Sequence, residues 1–388
     1  MSTPQHTLNL YQKPKLGTSL IQRLPVHNYK HSINAIGGFD TASFDIAPRS
    51  VDEMQQFLDQ YIGNRVAIYV DNPVEPIWEG FINRMTFNAG ETQYTISLEK
   101  MANRVRAVYC ATNGSTAVSQ GAVVNNANSQ AIYAIKQEQI DLGFMIAGTG
   151  ATIIRDTVLA QRAFPKTSMI PGSGSSGLLN IQCLGFYHTL EWEDFRQGVS
   201  ANVQLGNFLD TIIGGIVNGT TFFDNTNLTQ TAANANVIDQ ATVKGESVWD
   251  ALLKIQEFGD TSAYFVMGVS PTDFQTGTRR FYYQAANSSI VYTARQSDGL
   301  RIRNLYGQLV DPWRVRPDAG IRVSDILTGW NGVGDNPTET YIMKIDYDAN
   351  TQRAIYSGDD DLTAEGVFNL KRFNNAQGQR FGAARRLA

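Results

Sequence analysis

The chain has 388 residues, with 32 Lys and Arg against 36 Asp and Glu and a formal net charge of −4. That balance provides no polyanion-binding body and speaks against nucleic-acid binding by bulk charge. The length suits two or three domains, each with its own core. With 42% hydrophobic residues, 10% aromatics and 34 glycines, strands and turns are expected.

After an irregular start, residues 32–47 (SINAIGGFDTASFDIA) place Gly37-Gly38 between two apolar runs, a strand–turn–strand pattern. Residues 50–63 predict a helix. Ser50 and Glu53 form a capping box, Val51, Met54, Leu58 and Tyr61 share a face, and Gly63 is the stop. RVAIYV (65–70) reads as a buried strand. In the run 78–98, Thr92, Tyr94, Ile96 and Leu98 alternate with polar residues around a turn at Asn88-Ala89-Gly90, the period of a half-buried hairpin. EKMANRVRAVYC (99–110) is expected to close this unit as a helix. Residues 111–128 read as a small, polar linker.

Helices are expected next over 129–143 and over TGATIIRDTVLAQRAFP, ending before Pro165; PGSGSSG (171–177) has loop composition. Residues 178–192 read as a strand on which Leu179, Ile181 and Cys183 alternate with Asn180 and Gln182. A helix opened by Ser200, an Asn/Thr-rich loop over 218–236, a helix–Gly259–strand unit and two strands (RRFYYQ, SIVYT) follow. Residues 339–358 form a hairpin turning at Asp348-Ala349-Asn350, and the last 18 residues carry five basic groups and no acid. SVDEMQQFLDQYIGNRVAIYV and SVWDALLKIQEFGDTSAYFV echo each other as helix, glycine and apolar strand, a candidate duplication.

Charged residues make up only 18%, below the usual ~25%, and neutral polar side chains take their place. Such a surface is common where much of it is buried against other subunits, and many secreted proteins share it. Cys110 and Cys183 lie in apolar contexts and read as buried free thiols. No apolar leader and no run of ~18 apolar residues occurs, so the expectation is a soluble protein made in the cytoplasm, without membrane insertion.

Reactive constellations are scarce. His27 and His31 have metal-ligand spacing for a helix, but their segment has no helical stripe and no acidic third ligand; His6 stands alone; His188 reads as a hydrogen-bonded core residue. GSGSSG lacks the nucleophile-elbow spacing, and GTGAT at 148–152 lacks the Gly-Lys-Ser/Thr of a phosphate loop. FDNTNLT (223–229) and the acidic triplet 359–361 fall short of a calcium loop. Glu191, Glu193 and Asp194 supply the one candidate acid pair for a glycosidase. No catalytic, cofactor or metal residue is assigned, and no enzyme is expected.

INAIGGFDTASFDI, WEGFINRM, YTISLEKMANRVRAVY, AIYAIKQEQIDLG, LNIQCLGFYHTLEW, WDALLKIQEFGDTSAYFVMGV and LVDPWRVRPDAGIRVSDIL follow one another in this order. The series, over about residues 30–350, resembles the tail hub proteins of long-tailed bacteriophages, which are similar to baseplate hubs of the late-control D type. The resemblance implies a mainly β (α+β) chain with two tail-tube-like β-barrel or sandwich domains, packed helices and a helical insertion. On that basis the domains are an N-terminal arm (1–19), a first barrel (20–110), a linker with helices (111–177), a second barrel (178–358) and a basic extension (359–388). It further implies a homotrimeric, pseudo-hexameric ring in the phage virion. The tail tube or a distal tail protein would lie above, a central spike or fibre below, and the tape measure protein is a further candidate partner. DNA would pass through the lumen without specific binding. Two rival functions remain open at this stage: a glycan hydrolase using Glu191–Asp194, and a carbohydrate-binding module stacking sugars on Trp192, Trp249, Trp313 or Trp330.

Overall fold

A computed structural model describes residues 4–71, 75–110, 118–144, 148–172, 177–194, 203–204, 222, 224–230, 237–238, 247–257, 265–273, 279–285, 289–295, 301–324 and 338–357. Strands in the first half are β1 (His6–Tyr11), β2 (Leu20–Pro25), β3 (His27–Asn34), β4 (Gly37–Ile46), β5 (Arg65–Val70), β6 (Trp78–Ala89), β7 (Thr92–Ser97), β8 (Arg104–Cys110), β9 (Ser119–Gln120), β10 (Val124–Asn125), β11 (Gln137–Phe144), β12 (Thr167–Pro171) and β13 (Leu179–Leu184). The rest are β14 (Val203–Gln204), β15 (Asp224–Gln230), β16 (Val237–Ile238), β17 (Phe265–Val269), β18 (Arg280–Ala285), β19 (Ile290–Arg295), β20 (Arg303–Asn304), β21 (Gly320–Ser324), β22 (Thr338–Tyr341), β23 (Lys344–Asp348) and β24 (Arg353–Ser357). Helices α1 (Val51–Gln60), α2 (Ala127–Tyr133), α3 (Gly148–Arg162) and α4 (Val248–Glu257) and a 3-10 turn at Phe186–Trp192 lie between them. The protein is mainly β, as the sequence implied.

Among the described residues one sheet of 14 strands dominates. β13 enters between β4 and β6, pairing antiparallel with both. β6 carries β5 and then β7 along its other edge, β5 pairs with β1, and β1 pairs with β2. β2 and β3 are separated by Val26 alone, with Asn28 at φ 52°, and β3 returns to β4. The sheet therefore curls back towards its own start through a bend; no regular closed barrel is formed among the described residues. The bend brings His6 of β1 against Tyr29 and Tyr347, at ring-centroid distances of 5.2 and 5.8 Å.

The main core is a single cluster of buried side chains. Phe44, Ile46, Phe81, Met85, Leu179 and Ile181 alternate inward on β4, β6 and β13, and Val248, Leu252, Met267, Phe281 and Tyr347 join the same cluster from the second half of the chain. All six residues of β5 are buried, as RVAIYV requires. Helix α1 opens as expected, with Glu53 N–H donating to Ser50 Oγ at 3.1 Å and Glu53 accepting from Arg49 N–H at 2.6 Å. It turns off at Gly63, whose φ of +79° a residue with a side chain adopts only with strain. Its inward face is Phe57 and Leu58, whereas Val51 is 72% exposed.

Four sequence expectations change. Residues 104–110 form β8, not a helix, because Arg104 and Arg106 alternate with buried Val105 and Ala107, and the strand pairs in parallel with β11. The helix expected over 129–143 stops after Tyr133 at Ala134 (φ 61°), and the chain continues as β11. The strand of 178–192 ends at Leu184, where Gly185 passes so close to the Phe39 carbonyl that no Cβ fits; a 3-10 turn follows. Residues 224–230 of the expected loop are strand β15. The helix expected after Ser200 and the basic terminus fall outside the described residues, apart from β14.

Candidate functional site

The acids proposed as a catalytic pair are drawn to separate partners. Glu191, in the 3-10 turn, accepts from His188 Nδ1 at 2.9 Å. Glu193 holds Arg104 of β8 at 2.6 Å, and Asp194 accepts from Gln137 of β11 at 2.8 Å. Beside them Lys136 donates to the Leu98 and Glu99 carbonyls and lies 5.2 Å from the Trp192 ring centre. Burial pushes the Lys136 amine down to about 8 despite nearby carboxylates. Glu193 and Asp194 thus tie the 3-10 turn to the β8–β11 sheet, and Glu191 ties it to its own His188.

His188 is the centre of a cluster that the sequence did not reveal. Its Nε2 lies 2.9 Å from Asp40 Oδ1 on β4, and the Tyr187 hydroxyl donates to the same oxygen at 2.7 Å. Burial alone would lower the histidine pKa, but hydrogen bonds to Asp40 and Glu191 and their negative charge outweigh it, raising it to about 9. Asp40 is likewise subject to burial, which would raise it, yet the bonds from His188 and Tyr187 bring it below the ordinary carboxylate value. The arrangement is a clamp between β4 and the 3-10 turn, with two donors converging on Asp40 Oδ1.

A second buried cluster is Glu79 on β6, fully inaccessible to solvent. It accepts Arg65 Nε at 2.6 Å, the Thr272 backbone N–H at 2.8 Å and the Thr272 hydroxyl. Arg279 reaches the Phe222 carbonyl at 2.8 Å and stacks 4.5 Å from the Phe186 ring centre. A buried charge is tolerated only when paired and hydrogen-bonded, and here the pairing binds β5 and β6 to Thr272.

The remaining candidates are not brought together either. His27 is exposed and His31 buried on strand β3, so they share no metal face; among the described residues no group of three His, Cys, Asp or Glu side chains could hold a metal. His31 is pushed down to about 3, chiefly by burial and also by His6, and stays neutral. Trp192 and Trp249 are 7% exposed within the main core, and Trp313 packs against it; Trp330 lies outside the described residues. Cys110 and Cys183 are buried free thiols. A cleft of about 1810 Å³ under residues 301–312 is lined by Thr41, Ser43, Gln182, Asp311, Asp346 and Arg353, among others.

What the sheet offers instead is surface. Its outward row Asp45, Asn180, Thr86, Thr95 and Ser168 runs in register across β4, β13, β6, β7 and β12. The groups satisfy one another: Asn180 donates to Asp45 at 2.8 Å and Asn28 to its other oxygen at 2.7 Å. The sheet ends on β12, which pairs only with β7 among the described residues, and all five of its residues are exposed, Met169 by 69% and Ile170 by 51%.

No protein-family model matches the chain, and no curated protein matches it in sequence. Solved structures similar to it include the tail protein from Neisseria meningitidis MC58, at 9% identity over 89% of this chain and 92% of that one, with a TM-score of 0.39. The prophage tail protein gp18 from Listeria monocytogenes EGD-e is similar at 8% identity over 88% of this chain and 90% of that one, with a TM-score of 0.38. The E. coli c3393 protein is a component of the type VI secretion system with structural similarity to T4 bacteriophage tail proteins gp27 and gp5. It is similar at 6% identity over 83% of this chain and 69% of that one, with a TM-score of 0.37. None of the three reaches 0.5.

Proposed function

We propose that this chain is a structural, non-enzymatic subunit of a phage tail tip, a hub whose copies assemble side by side into a three-fold ring. The observation that carries the proposal is the free edge at β12: five consecutive exposed residues (TSMIP) with no charge. An isolated protein blunts such an edge with charge, proline, a bulge or a covering element. Here Pro171 blunts only the end of the strand, and the uncharged run Thr167–Ile170 suits a subunit whose neighbour completes the sheet. The polar outward row supports the reading, since a DNA conduit must avoid cationic contacts to phosphate. The resemblance in sequence adds the tail tube or a distal tail protein above, a spike or fibre below, and the virion as location. The hydrolase alternative is disfavoured because Glu191, Glu193 and Asp194 are each held by a different partner.

Native mass spectrometry of the full chain, alone and mixed with tail-tube protein, tests the proposal. A three-fold particle is expected in at least one condition. A strict monomer in all of them would overturn it.

A further inference from the structure

Two histidines meet inside an aromatic cluster that joins the first strand to the β23–β24 hairpin. The His6 ring of β1 has Tyr29 of β3 and Tyr347 of β23 at 5.2 and 5.8 Å between centres, with Trp313 edge-on at 6.4 Å. His31 of β3 lies against the same two tyrosines, at 5.4 and 5.2 Å. Both histidines and both tyrosines are buried. The Tyr347 hydroxyl and His6 Nε2 are 3.3 Å apart, across 341 residues of sequence, and His31 pairs with Tyr347 in the β3–β23 register. Neither ring nitrogen of His31 nor the Tyr29 hydroxyl has a hydrogen-bond partner among the described residues.

Such a cluster accepts a neutral imidazole and resists an imidazolium, because charging a buried ring is costly unless an acid is bonded to it. His188 has Asp40 and Glu191 for that purpose; His6 and His31 have no bonded carboxylate among the described residues. Burial lowers the His6 pKa and outweighs the opposing charge of Asp71 and the bond to the Pro4 backbone. On His31 burial acts first and His6 second, both against charge. Tyr29 feels Tyr347 and Cys183, and Tyr347 feels Asp348 and Asp311. Lys30 and Asp348, next to His31 and Tyr347 in sequence, are occupied with each other at 3.0 Å. We propose that this histidine–tyrosine joint is an acid-released latch: uncharged, it fastens β1 and β3 to the β23–β24 hairpin, and a proton on either histidine loosens that fastening. The cleft described above also touches His31 and Tyr347, which gives water a route to the joint. The inference concerns the chain's own fold and does not depend on the ring.

A histidine whose folded pKa is lowered contributes stability above its unfolded value of 6.5 and loses it as pH falls, for His31 down to about 3. Opening of the joint should therefore grow about tenfold per pH unit below 6.5, and about thirtyfold between pH 7.5 and 5. His188 keeps its full contribution throughout the acid part of that range, and ordinary carboxylates titrate below it. Native-state hydrogen exchange of the full chain in low urea, corrected for intrinsic rates, reads the opening. At pH 5, peptides around residues 4–8, 29–33 and 344–348 should exchange faster than those of β6 and β13, and with less dependence on urea. His31→Phe keeps a planar ring without a proton site and should remove most of the thirtyfold rise. Joint peptides that open only together with β6 and β13 would overturn the proposal, as would a His31→Phe rise equal to that of wild type. If the variant does not fold, histidine proton NMR of wild type decides. At least one of the four rings neutral at pH 5 in the folded chain supports the latch, and four charged rings overturn it.

Discussion

Replacing Glu79 with alanine tests how the chain joins its two halves. The carboxylate is fully buried and receives Arg65, itself 4% exposed, together with two donors from Thr272. The alanine variant strands a guanidinium whose other close neighbour is the Tyr11 ring, 4.2 Å away. Breaking one side of a buried pair costs about 3–5 kcal/mol. At roughly 2–4 °C per kcal/mol for a domain of a few hundred residues, melting should fall by about 6–20 °C. The double variant Arg65→Met/Glu79→Leu removes both charges, and such replacements are often neutral. It should regain more than half of the loss, though not all, because the Thr272 N–H is left without its acceptor. Urea and thermal unfolding followed by tryptophan fluorescence and circular dichroism measure both. A single-variant loss below about 1 kcal/mol, which is within the ordinary range for surface changes, would refute the reasoning. So would a double variant worse than either single.

Three other outcomes are expected. His188, raised to about 9 from 6.5, stabilises the fold fully below pH 6.5 and loses that contribution as pH climbs through about 9. His188→Gln should therefore melt lower at pH 6, and the gap should close by pH 10 in a pH series of melting curves. Phe57→Ala should cost about 3–5 kcal/mol, whereas Val51→Ser should stay within about 0.5 kcal/mol, since Phe57 is 1% and Val51 72% exposed; equal effects in urea titrations would contradict the orientation of α1. Met169→Lys should dissociate the proposed ring without lowering the melting temperature, as sedimentation and calorimetry would show; an intact particle would remove β12 from the proposed interface.

Local signals in the sequence carried α1, β5 and the β6–β7 hairpin, because capping, burial and alternation are written within a dozen residues. The misread elements had a competing local signal. Gln137, Glu138 and Gln139 favour helix by propensity, yet Ile140, Leu142 and Phe144 alternate, and pairing with β8 decides for the strand. In 104–110 the alternation of arginine with Val105 and Ala107 was likewise present, overshadowed by the helix-like run before it. The partners within the site clusters were not legible. His188 meets Asp40 across 148 residues, and Glu79 meets Thr272 across 193; no periodicity reports such contacts. The histidine's hydrogen-bonded role was foreseen from its apolar neighbours, but its strand setting was not what the chain adopts.

The place of β13 between β4 and β6 governs how this polypeptide can be made. Until Leu184 has left the ribosome, two long apolar strands from the first ninety residues have no neighbour on their facing edges. β3 waits longer still, for β23 near the other end of the sequence. Closing loops that large slows folding and prolongs exposure of sticky intermediates. Nascent chains truncated before that strand should therefore aggregate, and a holdase acting during translation would raise the yield.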